Sequence, residues 1–322
     1  MQTLSRRGFL GVAAAAGLVA ATACSSDKTS NSSPSEVTVK HQFGETTIAA
    51  PPRRVVSAGF TEQDDLLAVG VVPIAVTNWW GDQPFAVWPW AQSKLGSAQP
   101  TVLSLDNGLE FDKIAALKPD LIVATNAGVD QDSYTRLSSI APTLPQSGDQ
   151  PFFEPWKVQA SAIGQAVFQA DQMESLISDA DNKFTEVASA NSAFKDRKAL
   201  IVQGSLYRDN IVATLPGWRT EFLTQMGFVI PDDIKQFGVD DSRAFIPRDK
   251  AVNALGTADV LIWTTESDDE QARLQADPTF QKLNNADVFT GKDLAGAIAF
   301  SSPLSLPFVA AQLPPMLSKV IA

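Results

Sequence analysis

Apolar positions recur at intervals of three and four from Met173 to Val187: Met173, Ile177, Ala180, Phe184 and Val187 form one stripe. The spacing predicts a single helix from Asp171 to about Asn191, capped by Asp171 with Glu174 reaching back. At ~1.5 Å per residue such a helix is a rod of roughly 30 Å, the span of a small domain. Before it, Val37–Lys40 and Thr46–Ile48 read as a hairpin around Phe43-Gly44, Arg54–Ala58 and Val71–Val76 as buried strands, and Glu62–Val69 as a helix capped by Thr61. After it, Lys198–Gly204, Asn210–Ala213, Asp259–Trp263 and Val288–Thr290 read as strands. Gly217–Met226 and Arg248–Leu255 read as helices, Asp277-Pro278 starts a short one, and Leu304–Ile321 is the last, with a kink expected at Pro314-Pro315. Strand, helix and strand within about twenty-five residues mark parallel units. The pattern predicts two similar α/β halves with the long helix as their spine.

The first residues do not fit that pattern. Arg6-Arg7, then Phe9-Leu10 and an Ala/Val-rich run to Ala23, resemble a twin-arginine export signal. The run is too short and alanine-rich for a good membrane span. Ala21-Thr22-Ala23-Cys24 resembles a lipobox, with Ala21 where Leu, Val or Ile is usual. Cys24 is then the candidate for lipidation and a membrane anchor. The expected organisation is a signal over 1–23, a flexible Ser-rich tether over 24–36, a first lobe over 37–169, a linking helix over 170–194 and a second lobe over 195–322.

Composition removes several function classes. The 322-residue chain is long enough for two real cores. Its formal net charge of -11 argues against broad nucleic-acid binding. One cysteine excludes an internal disulfide or a cysteine-based metal site, and one histidine, His41, excludes a multi-histidine site. His41 lies on the first predicted strand and reads as structural. There is no G-x-S-x-G, P-loop or G-x-G-x-x-G, and a lone histidine removes the usual general base, so the chain does not read as an enzyme.

Two local features carry candidate chemistry. The stretch from Asn78 to Gly96 holds Trp79, Trp80, Trp88 and Trp90, four of the seven tryptophans, in a Pro/Gly-broken loop suited to a flat or lipophilic ligand or to packing on its own lobe. In the second half, Arg208, Arg219 and Arg243 have Tyr207, Trp218 and Phe245 nearby, pairing guanidinium forks with flat contact. Glu62, Asp64 and Asp65, in the first turn after Thr61, read as helix-dipole acids.

The residues from His41 to Val76 resemble the opening of the iron-siderophore, haem and cobalamin class of periplasmic binding proteins. Phe111–Ala124, a helix running into Lys-Pro-Asp and a buried strand, and Leu137–Leu144 resemble its next two hallmarks, in the right order. The resemblance implies two Rossmann-like α/β lobes joined by one long helix, with a ligand cleft between them. It implies an exported, monomeric, lipid-anchored binding protein outside the cytoplasmic membrane, handing a ferric siderophore to an ABC-type permease. Haem is the alternative ligand, with Tyr207 as its axial candidate, and cobalamin the third. The second functional alternative is a non-transport envelope lipoprotein, or an enzyme on this fold whose chemistry would rest on paired carboxylates. Phe60, Trp79, Trp80, Trp88, Trp90, Tyr207, Arg208, Trp218, Arg219 and Arg243 become the expected ligand-binding set. Asp112 and Asp249 stand where the family has permease-docking carboxylates, usually glutamates, with Glu110 able to substitute on the first lobe. No cofactor is expected beyond the transported ligand. A single connecting helix resists bending, so ligand binding should close the lobes by only a few degrees.

Overall fold

The computed structural model describes residues 36–240 and 242–321. The export signal, the tether to residue 35 and Cys24 lie outside the described residues. Strands β1 (Val37–His41) and β2 (Gly44–Ile48) form the expected antiparallel hairpin. His41 is buried there, its Nε2 3.0 Å from Thr46 Oγ1 and its ring against Tyr134.

The first sheet comprises β3 (Val55–Ser57), β4 (Ala75–Thr77), β5 (Thr101–Leu103), β6 (Leu121–Ala124) and β7 (Thr143–Pro145). It is wholly parallel, in the order β5-β4-β3-β6-β7. These strands are short unbroken apolar runs because helices cover both faces. The second sheet comprises β8 (Ala199–Gln203), β9 (Asn210–Thr214), β10 (Arg243–Pro247), β11 (Val260–Thr264) and β12 (Ala286–Phe289). Its order is β10-β9-β8-β11-β12, and β9 runs antiparallel to both β8 and β10. The second half therefore does not repeat the first: a two-residue turn at Arg208-Asp209, both at positive φ, makes a hairpin where the first lobe has a helical crossover.

The spine is one helix, Ala170–Ala190. Met173, Ile177, Ala180 and Phe184 are buried along its stripe, with Val187 partly so. The expected cap is absent. Gln169 holds the cap position without a side-chain bond, and Glu174 accepts instead from Ser161 Oγ at 2.7 Å on the preceding helix. Thr61 likewise does not cap its helix, Glu62–Ala68, because its hydroxyl receives Asn126 Nδ2 and Gln159 Nε2.

The lobes share a core. One buried apolar cluster runs from Val39 and Val55 through Trp156, Met173 and Phe184 to Ile262 and Leu317, and the described residues form one compact unit. The spine is also not the sole tie. Lys157 Nζ lies 2.8 Å from Asp181 on the spine and 3.1 Å from Glu221 on the second lobe. The last helix, Ser305–Val320, runs unbroken through Pro314 and Pro315, packs on the spine and returns Phe308 to Trp90 of the first lobe.

Candidate ligand cleft

In each sheet the strand order reverses beside the central strand, β3 against β6 and β8 against β11. A parallel arrangement opens a crevice at the carboxyl ends of such strands. The chain exits there as Gly59-Phe60-Thr61 and Thr125-Asn126 in the first lobe, and as Gly204-Ser205 and Thr265-Glu266 in the second. A cleft of about 1360 Å³ opens at this point, and Phe60, Ser205 and Glu266 line it.

Its first-lobe wall is aromatic. Phe60 stacks on Trp79 at 5.7 Å, on Phe152 at 5.7 Å and on Phe153 at 6.3 Å, and Trp80 meets Trp79 edge-on at 6.0 Å. Asn126 holds two of these rings from behind. Its Oδ1 accepts from Phe153 N–H at 2.9 Å and its carbonyl from Phe60 N–H at 3.2 Å. Asn126 is itself fixed by Glu62, whose Oε1 takes its N–H at 2.8 Å. Gly59 permits this close approach: a Cβ there would lie 2.2 Å from Glu62 Oε1 and 2.5 Å from the Asn126 backbone. Phe153 sits at φ 56°, a left-handed conformation costing about 1–3 kcal/mol in a bulky residue.

The opposite wall is polar. Arg219 lies 4.9 Å from the Phe153 centroid and 4.3 Å from that of Trp218, so its guanidinium spans the gap between lobes. Burial first, then neighbouring Arg243, lowers its pKa to about 10, leaving it cationic at neutral pH. Arg243 forks onto Asp240, with Nε and Nη2 at 2.9 and 2.7 Å from Oδ2. Burial raises the Asp240 pKa, but the Ser242 N–H and the Arg243 side chain outweigh it and bring it to about 2.

The structure thus brings together Phe60, Trp79, Trp80, Trp218, Arg219 and Arg243 of the expected set. It separates the rest. Trp88 is 1% exposed inside the lobe contact, stacked on Trp90 at 5.1 Å and edge-on to Phe300 at 6.0 Å. Trp90 donates Nε1–H to buried Asp64 Oδ2 at 2.7 Å. The tryptophan loop is not irregular throughout, since Pro89–Gln92 forms a helical turn that carries Trp90 inward. Tyr207 and Arg208 stand at the tip of the β8–β9 hairpin, outside the cleft lining, where Tyr207 is exposed, packs on Phe245 at 5.3 Å and carries Arg208 over its ring. Among the described residues no tyrosine or histidine lines the cleft.

Sequence reasoning missed Phe152, Phe153, Glu154, Asp240 and Glu266, which also line the cleft. Pro151-Phe152-Phe153-Glu154-Pro155 carried a readable signal: adjacent aromatics between prolines, the same punctuation as in the tryptophan loop. Asp240 and Glu266 carried none.

Glu62, Asp64 and Asp65 are not dipole acids on a surface turn; all are buried behind the cleft, near Glu154. Ser302 Oγ and Trp90 share Asp64 Oδ2, and Gln159 Nε2 donates to Asp65 Oδ2 at 2.7 Å. Burial raises the pKa of Glu62 and Glu154 to about 7 and of Asp64 to about 6, against the hydrogen bonds that oppose it. Asp65 is raised well above the usual range by burial, with its acidic neighbours adding to it. The unfolded chain releases these protons near pH ~4, so between about pH 4 and 7 the native state binds more protons and stability falls as pH rises. The melting temperature should be higher at pH 5 than at pH 8. Asp65→Asn should shrink that difference by raising the pH 8 value; a pH profile identical to wild type would count against this account of the cluster.

The sequence profile described as periplasmic binding protein matches residues 55–288. The chain superposes on a periplasmic solute binding protein of Mycobacterium smegmatis with a TM-score of 0.85 and 57% identity, covering 89% of this chain and 99% of that one. It superposes on Streptococcus pneumoniae PiaA in complex with ferrichrome with a TM-score of 0.72 at 24% identity, covering 88% of this chain and 98% of that one, a likeness of fold. Among curated sequences it is 29% identical over 223 residues to the probable siderophore-binding lipoprotein YfiY of Bacillus subtilis, covering 65% of this chain. That match spans 63% of the relative, less than two thirds of its length.

Proposed function

The chain belongs to the periplasmic binding protein family, and from that premise we propose that it captures a ferric siderophore outside the cytoplasmic membrane and delivers it to an ABC-type permease. The observation that carries the reading is the cleft itself. An aromatic wall and a guanidinium face each other across about 1360 Å³, room for a compact metal chelate, on a scaffold where neither wall offers a nucleophile–histidine pair. YfiY, named as a probable siderophore-binding lipoprotein, supports the ligand class. Haem is less favoured, because Tyr207 lies outside the cleft lining. Export through the twin arginines and anchoring at Cys24, with a monomer as the working unit, complete the proposal.

Titrating the full chain with ferrichrome, other ferric chelates and haem tests it. Trp79 and Trp80 lie in the cleft, so saturable quenching of tryptophan fluorescence by a ferric chelate is the expected result. Silence toward every ferric chelate would overturn the reading.

Docking belongs to the same proposal. Asp112 is exposed in the first turn of the helix Phe111–Ala116, and Asp249 is exposed beside Lys250 at 3.4 Å. Glu110 is less suited to substitute, since it accepts from Ser104 N–H at 2.9 Å and pairs with Lys113. Asp112→Arg combined with Asp249→Arg should abolish iron uptake in cells while leaving chelate binding in solution intact; undiminished uptake would remove both from the docking role.

A further inference from the structure

The cleft has fewer available cations than its sequence suggests. Of the three expected arginines, Arg208 lies outside it and Arg243 is already forked onto Asp240. Arg219 makes no hydrogen bond or ion pair among the described residues and has only ring contacts, with Trp218 and Phe153. Against these stand four acids in the same lining: Asp149, Glu154, Asp240 and Glu266. Glu154 is 5% exposed, with Oε2 held by the Ser147 N–H at 2.9 Å and Oε1 buried without a partner. Asp240 and Glu266 stand on the second lobe, while the first-lobe wall that also carries Asp149 and Glu154 presents five aromatic rings, Phe60, Trp79, Trp80, Phe152 and Phe153, which reward contact with an uncharged surface.

Resting on the ferric-chelate reading above, we propose that this cleft selects a chelate that is neutral or carries at most one negative charge. Ferric iron bears three positive charges. Three hydroxamates, one negative charge each, neutralise it. Three catecholates, two each, leave a trianion. A trianion entering this cleft sheds its hydration and meets a single unpaired guanidinium among acids, so its desolvation goes uncompensated. A neutral tris-hydroxamate gives up little hydration and gains the ring wall. Arg219 then hydrogen-bonds the chelate's outward oxygens without needing to balance a full charge.

The test compares ferrichrome, a neutral tris-hydroxamate, with the ferric complex of a hexadentate tris-catechol chelator, of charge −3, by fluorescence titration of the full chain at low and high salt. Ferrichrome should bind at least a hundredfold tighter, with little salt dependence. Tighter binding of the trianion, weakening steeply with salt, would overturn the charge assignment and leave the ferric-chelate reading standing. Failure of every ferric chelate to bind would overturn both. Asp240→Asn supplies a second arm. By freeing Arg243 it should shift the affinity ratio at least fivefold toward the trianion; an unchanged or opposite ratio would show that the Arg243–Asp240 pair does not set the cleft's charge.

Discussion

Trp88→Ala should lower the unfolding free energy by about 3–5 kcal/mol, the range for truncating a fully buried tryptophan. The ring is 1% exposed and touches both lobes: Trp80 at 4.8 Å and Trp90 at 5.1 Å on its own side, Phe300 at 6.0 Å on the other. The second lobe is shaped to receive it, since a Cβ on Gly296 would lie 2.6 Å from the indole. Gly296→Ala should therefore also destabilise, by about 1–3 kcal/mol, through overpacking. Denaturant unfolding followed by circular dichroism measures both. A loss below about 1 kcal/mol for Trp88→Ala would show that the indole is not a keystone between lobes. The same contact bears on motion. Lys157–Asp181–Glu221 beside the spine and Ser302–Asp64 beside Trp90 tie the lobes at separate places, so any closure on ligand binding has to move these contacts as well as bend the spine helix.

The spine was legible because its stripe obeys the helical period and its length exceeds any alternative. The parallel strands of the first lobe were legible as unbroken apolar runs. The second sheet was misjudged for a specific reason: whether β8 is followed by a crossover or a hairpin depends on two residues, Arg208 and Asp209, accepting positive φ, and neither is the Asn-Gly pair that announces such a turn. The tryptophans show a different limit. Trp79, Trp80, Trp88 and Trp90 lie within twelve positions and have the same chemistry, yet Trp79 and Trp80 line the cleft, Trp79 also touching Phe300, while Trp88 and Trp90 are packed against the other lobe outside it. What separates them is their partners, Asp64 for Trp90 and Gly296, far along the chain, for Trp88. The acids after Thr61 failed likewise. Their spacing fits a dipole role, and only the surrounding Gln159, Asn126 and Ser302 make their burial tolerable.

Asn126→Ala should weaken ligand binding by at least tenfold, mainly through faster dissociation. Asn126 is buried and stands outside the cleft lining. It acts as a positioning residue, because it fixes the backbone N–H of both Phe60 and Phe153. Alanine keeps the carbonyl that holds Phe60 and removes the Oδ1 that holds Phe153. The Phe153 N–H then loses its partner, at about 1–3 kcal/mol. Phe153 is also the residue held at φ 56°, so relaxing it is favourable once the restraint goes, and Arg219 loses the ring it lies against. Loss of protein stability alone does not distinguish this from a packing defect, and Thr61→Val provides the control. It leaves Asn126 Nδ2 and Gln159 Nε2 without the Thr61 hydroxyl, while the Asn126–Phe153 bond stays in place. Comparable destabilisation in the two variants, with affinity lost only in Asn126→Ala, is the expected pattern. Equal affinity losses would place the effect in general packing behind the cleft rather than in the aim of Phe153.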